Sequence, residues 1–178
     1  PFRYPSGPDI GPGLTEAGER LVKRCNELGI LIDLSHMNEA GFRDVAKLST
    51  APLVATHSNA HAICPHARNL TDEQLRIIAD SDGMVGLNFA TAFLRPDGRM
   101  IPDVAFGTML RHLDHLIGIL GETRVGLGSD YDGAVMPKAL ATAAGLPALR
   151  DAMRQHGYDE ALQRRLMCDN WLSALERI

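Results

Sequence analysis

The chain has 178 residues, 45% hydrophobic and 22% charged, with a formal net charge of −4, which suits one domain with a sizeable core. Lys and Arg are interspersed with Asp and Glu, so no basic face argues for nucleic acid, and no apolar run approaches the ~20 residues that cross a bilayer. Three widely separated cysteines, Cys25, Cys64 and Cys168, form no CxxC pair, which argues against a disulfide framework or a cysteine-zinc site.

The thiols read as buried or half-buried in a reducing compartment, and a cytoplasmic location is the expectation. The opening PFRYPSGPDIGPG is rich in Pro and Gly and lacks an initiator methionine. It reads as a loop entered midway, with the numbered sequence a piece of a longer polypeptide. LTEAGERLVKRCNELG carries helix punctuation: Thr15 as N-cap, Leu21, Cys25 and Leu28 on one face, Gly29 as C-terminal cap. ILIDLSH follows as a buried strand. NEAGFRDVAKLS is then a helix capped by Asn38, with Phe42, Val45 and Ala46 on one side.

PLVATHS is the second strand. NLTDEQLRIIADSDG has the reciprocal capping pattern, Thr71 followed three residues later by Gln74. MVGLNF is the third strand, a loop holding RPDGR follows, and a helix is expected over Asp103 to Leu120. RVGLGSD is the fourth strand, and the chain from Lys138 onward reads as mostly helical.

These strands are continuous apolar runs, each separated from the next by a helix, which specifies parallel strands covered by helices. A doubly wound sheet and a (β/α)8 TIM-type barrel both satisfy the pattern. Polar groups at the carboxyl ends of the first, second and fourth strands favour the barrel, and so does the lack of a glycine-rich phosphate loop after any strand. A complete barrel takes about 250 residues, so four βα units correspond to half of one. Four strands alone would leave two edges open and the inner face uncovered.

The candidate chemistry sits at those strand ends. His36 closes the first strand and His57 the second. Neutral imidazoles leaving adjacent strands at one rim are natural ligands for a shared zinc ion. Asp130 ends the fourth strand behind Gly126 and Gly128, where missing side chains permit close approach. Its carboxylate could take a proton from a metal-activated water, orient that water, or meet a substrate ammonium. Arg68 could hold a substrate carboxylate with its guanidinium fork, or pair at the surface with Asp72 or Glu73. Asp132 reads as a turn residue before Gly133, and His61 and His66 as loop residues. His112 and His115 share a helix face expected to pack outside the barrel, His156 sits at a helix end, and the role of Asp33 is open.

LIDLSH, THSNAHAICPHARNLTDEQL, VGLNF and HLDHLIGILGETRVGLGSDYDG, in this order, resemble the membrane (renal) dipeptidase family, the M19 metallopeptidases. The resemblance runs from about Gly13 to CDNWL near the end. It implies a (β/α)8 barrel with two zinc ions bridged by a glutamate and a hydroxide. It also implies that His36 and His57 bind one zinc, that Arg68 binds the substrate carboxylate, and that Asp130 contacts the substrate or its nascent amine. The family's His-x-Asp pair, bridging glutamate and oxyanion-stabilising histidine have no counterpart in residues 1–178. The chain therefore resembles the carboxyl-terminal half of such an enzyme, with residues 1–13 as a loop continuing from an upstream half.

The expected activity is hydrolysis of dipeptides by the parent protein, this segment alone being incompetent. The expected partners are a dipeptide and the other half of the barrel, and a homodimer is compatible with the resemblance. Another amidohydrolase-like activity on a lactone, cyclic amide or phosphoester stays open, as does a non-catalytic barrel retained for association.

Overall fold

Parallel pairing organises the chain in a computed structural model that describes residues 11–177. Most of the expected opening loop, residues 1–10, lies outside the described residues. Three strands, β1 (Val54–Ala55), β2 (Met84–Leu87) and β3 (Val125–Leu127), form a sheet in the order β1-β2-β3. The register sets Val54 beside Met84 and Val85 beside Val125, all parallel. Among the described residues no helix is long and apolar enough to cross a membrane.

The expected first strand is present as a neighbour of β1 but not as a ladder. A single bridge joins Asp33 to Val54, with the Leu34 N–H donating to the Val54 carbonyl at 2.8 Å. Beyond it, side chains replace backbone acceptors. Asp33 Oδ1 accepts from Thr56 N at 2.9 Å, and Ser35 Oγ accepts from His57 N at 3.0 Å. A polar strand end thus trades regular pairing for side-chain anchorage, which an apolar pattern does not reveal.

The helices begin where their caps place them. α1 (Glu16–Glu27) starts with Thr15 accepting from Gly18 N, and α2 (Glu39–Leu48) with Asn38 accepting from Gly41 N. α3 (Asp72–Asp80) opens with the full capping box of Thr71 and Gln74. A short helix not expected from the sequence, α4 (Thr91–Leu94), follows β2, and α5 (Phe106–Leu120) begins three residues later than expected. The carboxyl-terminal part holds α6 (Leu146–His156), α7 (Glu160–Arg164) and α8 (Asn170–Glu176), with a π-helical turn joining α7 to α8.

Two packing faces result. Ala55, Val85, Leu87 and Val125 meet α3 through Leu75 and Ile78 and α5 through Met109, Leu113, Leu116 and Leu120. On the opposite face Val54 and Met84 pack against Leu31, Trp171 and Ala174, so α8 covers part of the face expected to be bare. Asn170 fastens α8 by donating to the Glu122 and Val125 carbonyls at 2.7 Å each, and Trp171 Nε1 donates to the Leu127 carbonyl at 2.9 Å. Glycine is required beneath these groups. A Cβ on Gly126 would lie 2.5 Å from Trp171 Nε1, and one on Gly128 would lie 1.8 Å from the Thr56 carbonyl oxygen. The space that the sequence suggested for a ligand is filled by the protein itself.

Three further expectations need correction. Leu21 and Leu28 are exposed, and Val22 is the buried residue of α1, so the expected apolar face is not the one that packs among the described residues. Cys168 is exposed in the π turn, unlike buried Cys64 and half-buried Cys25. His112 is fully buried rather than idle on an outer face. Its Nδ1 accepts from Ala60 N at 3.2 Å and its Nε2 donates to the Leu94 carbonyl at 3.0 Å, so it ties α5 to the loop after β1 and to α4.

Both bonds need the neutral ring, since a protonated Nδ1 cannot accept. Burial lowers the His112 pKa from 6.5 to about 4, although the bond to Leu94 opposes the shift. The unfolded chain therefore takes up the proton first. This contribution to stability is full above pH 6.5 and is lost as pH falls to about 4. Urea unfolding should show a His112→Asn variant that is weaker than wild type at pH 7 but loses about 3 kcal/mol less between pH 7 and 4.

Candidate metal and substrate site

The strand ends deliver their polar residues to one rim. His36 and His57 leave adjacent segments with ring centroids 5.1 Å apart and planes inclined by 56°. Two imidazoles on one tetrahedral zinc, each nitrogen 2.0–2.1 Å from the ion, bring their centroids to about 5 Å. The observed spacing is the one a shared zinc ion would require. His36 takes a left-handed backbone, φ 68°, which is costly for a residue with a Cβ and is sustained by its surroundings.

Both rings are held neutral, the form that ligates. Burial is the main cause of a His36 pKa of about 4, with the Arg68 cation and His57 adding to it against Asp130 and Asp33. Burial also lowers His57, with Asp33 opposing and Arg68 assisting. Among the described residues no group of three or more His, Cys, Asp or Glu side chains is arranged to hold a metal.

Asp130 follows β3, also in the left-handed region with φ 59°. Asn88, fully buried at the end of β2, donates from Nδ2 to Asp130 Oδ2 at 3.0 Å and to the His57 carbonyl at 3.2 Å. Asn88 Oδ1 accepts from Ala90 N at 2.6 Å, which fixes the amide's orientation. A Cβ on Gly133 would sit 2.4 Å from Asp130 Oδ1, so that glycine leaves room for the carboxylate. Asp132, φ 66° and exposed, is a turn residue.

Arg68 is 4% exposed, which excludes the surface-pairing alternative. Asp72 is taken by His115 and Glu73 by Arg43. One guanidinium nitrogen donates to the His57 carbonyl at 3.2 Å, and the group lies 5.3 Å from the Phe93 ring centroid. His66 shapes this loop: its Nδ1 accepts from Arg68 N at 3.1 Å, and its ring lies 4.8 Å from that of Phe93. His61 contributes its backbone N–H, donated to Leu70.

The residues passed over in the sequence are asparagines. Asn88 pairs with Asn59 in both directions, at 2.8 and 2.9 Å, and Asn69 donates to the Cys64 and Phe93 carbonyls. Asn88 carries a weaker form of the histidines' signal, a polar residue interrupting the apolar run MVGLNF next to its end. Asn59 and Asn69, inside a polar loop, carry none.

Parallel strands whose ends gather imidazoles, a carboxylate and a buried guanidinium define the class, a β/α-barrel protein with a candidate metal centre at the carboxyl rim. The family model for membrane dipeptidase, peptidase family M19, matches residues 6–178, and the chain belongs to that family. A Klebsiella pneumoniae protein named as uncharacterized, in the pqqA 5′ region, is 54% identical over 175 residues, covering 98% of this chain and 65% of that protein. The solved structure of dipeptidase AC, an M19 metallopeptidase, matches with 63% identity and a TM-score of 0.94, over 99% of this chain and 52% of its own. A Rhodobacter sphaeroides metallopeptidase, liganded with a phosphinate mimic of L-Ala-D-Ala, matches equally well over 50% of its chain. The chain thus spans about half to two thirds of these relatives, and its fold is a partial TIM-like barrel.

The Asn88 geometry carries its own test. Asn88→Asp would set one carboxylate against another and against a carbonyl. Urea unfolding at pH 7 should show a loss of about 1–3 kcal/mol.

Proposed function

We propose that the protein is a zinc-dependent dipeptidase in which this chain supplies His36 and His57 as ligands of one zinc, with Arg68 and Asp130 acting on the substrate. The spacing of the two neutral imidazoles, 5.1 Å between centroids, carries the proposal. When bound, zinc supplies a Lewis acid for the scissile carbonyl and a water acidic enough to attack near neutral pH. The remaining ligands would come from outside the described residues.

Arg68 holds the substrate's free carboxyl group. A guanidinium pairs with a carboxylate through two parallel hydrogen bonds, and burial beside Phe93 keeps this one from swinging away. A requirement for a nearby carboxyl terminus favours dipeptides over long peptides. Asp130 is presented by Asn88 with one oxygen engaged. It holds the substrate ammonium or receives the proton bound for the leaving amine. The R. sphaeroides ligand, a mimic of L-Ala-D-Ala, makes that dipeptide the first substrate to try, beside L-Ala-L-Ala.

Arg68→Ala should raise KM by about 10–100-fold with little change in kcat, because it removes binding common to ground and transition states. Amidating the dipeptide's carboxyl end should weaken wild type but not the variant. An unchanged KM would exclude Arg68 from carboxylate binding. His57→Ala should lower the zinc bound per protein by elemental analysis, and undiminished zinc would exclude His57 as a ligand.

A further inference from the structure

Asp33 and Thr56 form a hydrogen-bond chain behind His57 to which the proposed function assigns no role. Asp33 Oδ1 accepts from Ser35 N and Thr56 N, both at 2.9 Å. Asp33 Oδ2 accepts from the Thr56 hydroxyl at 2.5 Å. The same hydroxyl oxygen lies 2.6 Å from His57 Nδ1, whereas Nδ1 is 3.7 Å from the carboxylate. The imidazole is therefore coupled to Asp33 through Thr56 rather than directly.

Proton counting fixes the roles. A carboxylate only accepts, and threonine has one hydroxyl proton. That proton is spent on Asp33, so the short contact to His57 is a hydrogen bond only if Nδ1 carries the ring proton and donates to Oγ1. The lone pair then lies on Nε2. A ligating histidine depends on such an outer partner to set its tautomer and hold its plane.

We infer that Asp33 and Thr56 are positioning residues that lock His57 in the Nδ1–H tautomer and present Nε2 to the metal. The inference rests on His57 being a ligand. Asp33 is fixed in turn by the two backbone N–H groups on its Oδ1, so its amide replacement has one favoured orientation. In Asp33→Asn the oxygen stays on those N–H groups and the NH2 faces Thr56. With no carboxylate to receive it, the hydroxyl proton is free to turn to Nδ1, which favours the ring proton on Nε2 and disfavours the ligating tautomer. An isosteric change thus favours the reversed two-bond chain.

The test measures zinc affinity by competition with a chromophoric chelator, and the visible spectrum after cobalt substitution, in the metal-loaded protein. Thr56→Val and Asp33→Asn should each weaken zinc binding about 10–100-fold and alter the cobalt spectrum. Thr56→Ser, which keeps the hydroxyl, should restore both. Wild-type affinity in Thr56→Val and Asp33→Asn, with zinc lost in His57→Ala, would overturn the positioning role and leave the ligand assignment standing. Undiminished zinc in His57→Ala would overturn both. Nitrogen-15 NMR of the metal-free wild type reads the tautomer without any variant: a protonated Nδ1 and bare Nε2 are expected, and a proton on Nε2 would overturn the inference.

Discussion

The rim depends on one substitution of partners: at the ends of β1 and β2, side chains take N–H groups that a continued ladder would give to backbone carbonyls. Asp33 and Ser35 take the Thr56 and His57 amides, and Asn59 takes that of Asn88. Buried N–H groups must be paired, and pairing them by continued ladders would keep the chain extended. Side-chain acceptors release the backbone instead. His36 and Asp130 can then turn into left-handed conformations and stay at the rim rather than pass beyond it. The strain at those two residues is held by a network whose members are separately anchored, so no single bond carries it.

The sequence made the frame legible because its local signals agree with the fold. Thr15, Asn38 and Thr71 start helices where capping chemistry places them, and the apolar runs at β1, β2 and β3 pair in parallel. What stayed hidden depends on contacts distant in sequence. His112 lies in the buried stripe of α5, between Met109 and Leu116, but its polarity disguised that, and its partners lie 52 and 18 residues away. Leu21 and Leu28 have an interior pattern yet face outward among the described residues, since periodicity reports an apolar stripe and not what covers it.

The candidate site divides the same way. His36, His57 and Asp130 were legible because each interrupts an apolar run at its end, and the structure gathers them. Arg68 was ambiguous because a guanidinium in a loop reads equally as a surface charge; its burial removes the surface pairing. Asn88 shows where the rule was applied too narrowly. It interrupts its apolar run next to the end, but an amide invites no chemistry on inspection. Its contribution is visible only once Asp130 Oδ2 and the His57 carbonyl are found on the same NH2 group.

Charge at the rim sets a final constraint. The Arg68 cation depresses both imidazoles, and Asp33 and Asp130 act against it. Burial is the main reason the rings stay unprotonated, and at His57 Asp33 outweighs Arg68. A dication at the rim would nonetheless meet repulsion from the Arg68 cation. Two neutral donors beside a guanidinium hold zinc only if carboxylates offset that repulsion. Asp33 is committed to Thr56 and two backbone N–H groups, and Asp130 is shared with Asn88. Both carboxylates keep their charge while so engaged, and among the described residues they are the groups that favour a cation at the two rings. Under the proposed function, the same Arg68 cation that opposes the metal is the group that would select a substrate by its carboxylate.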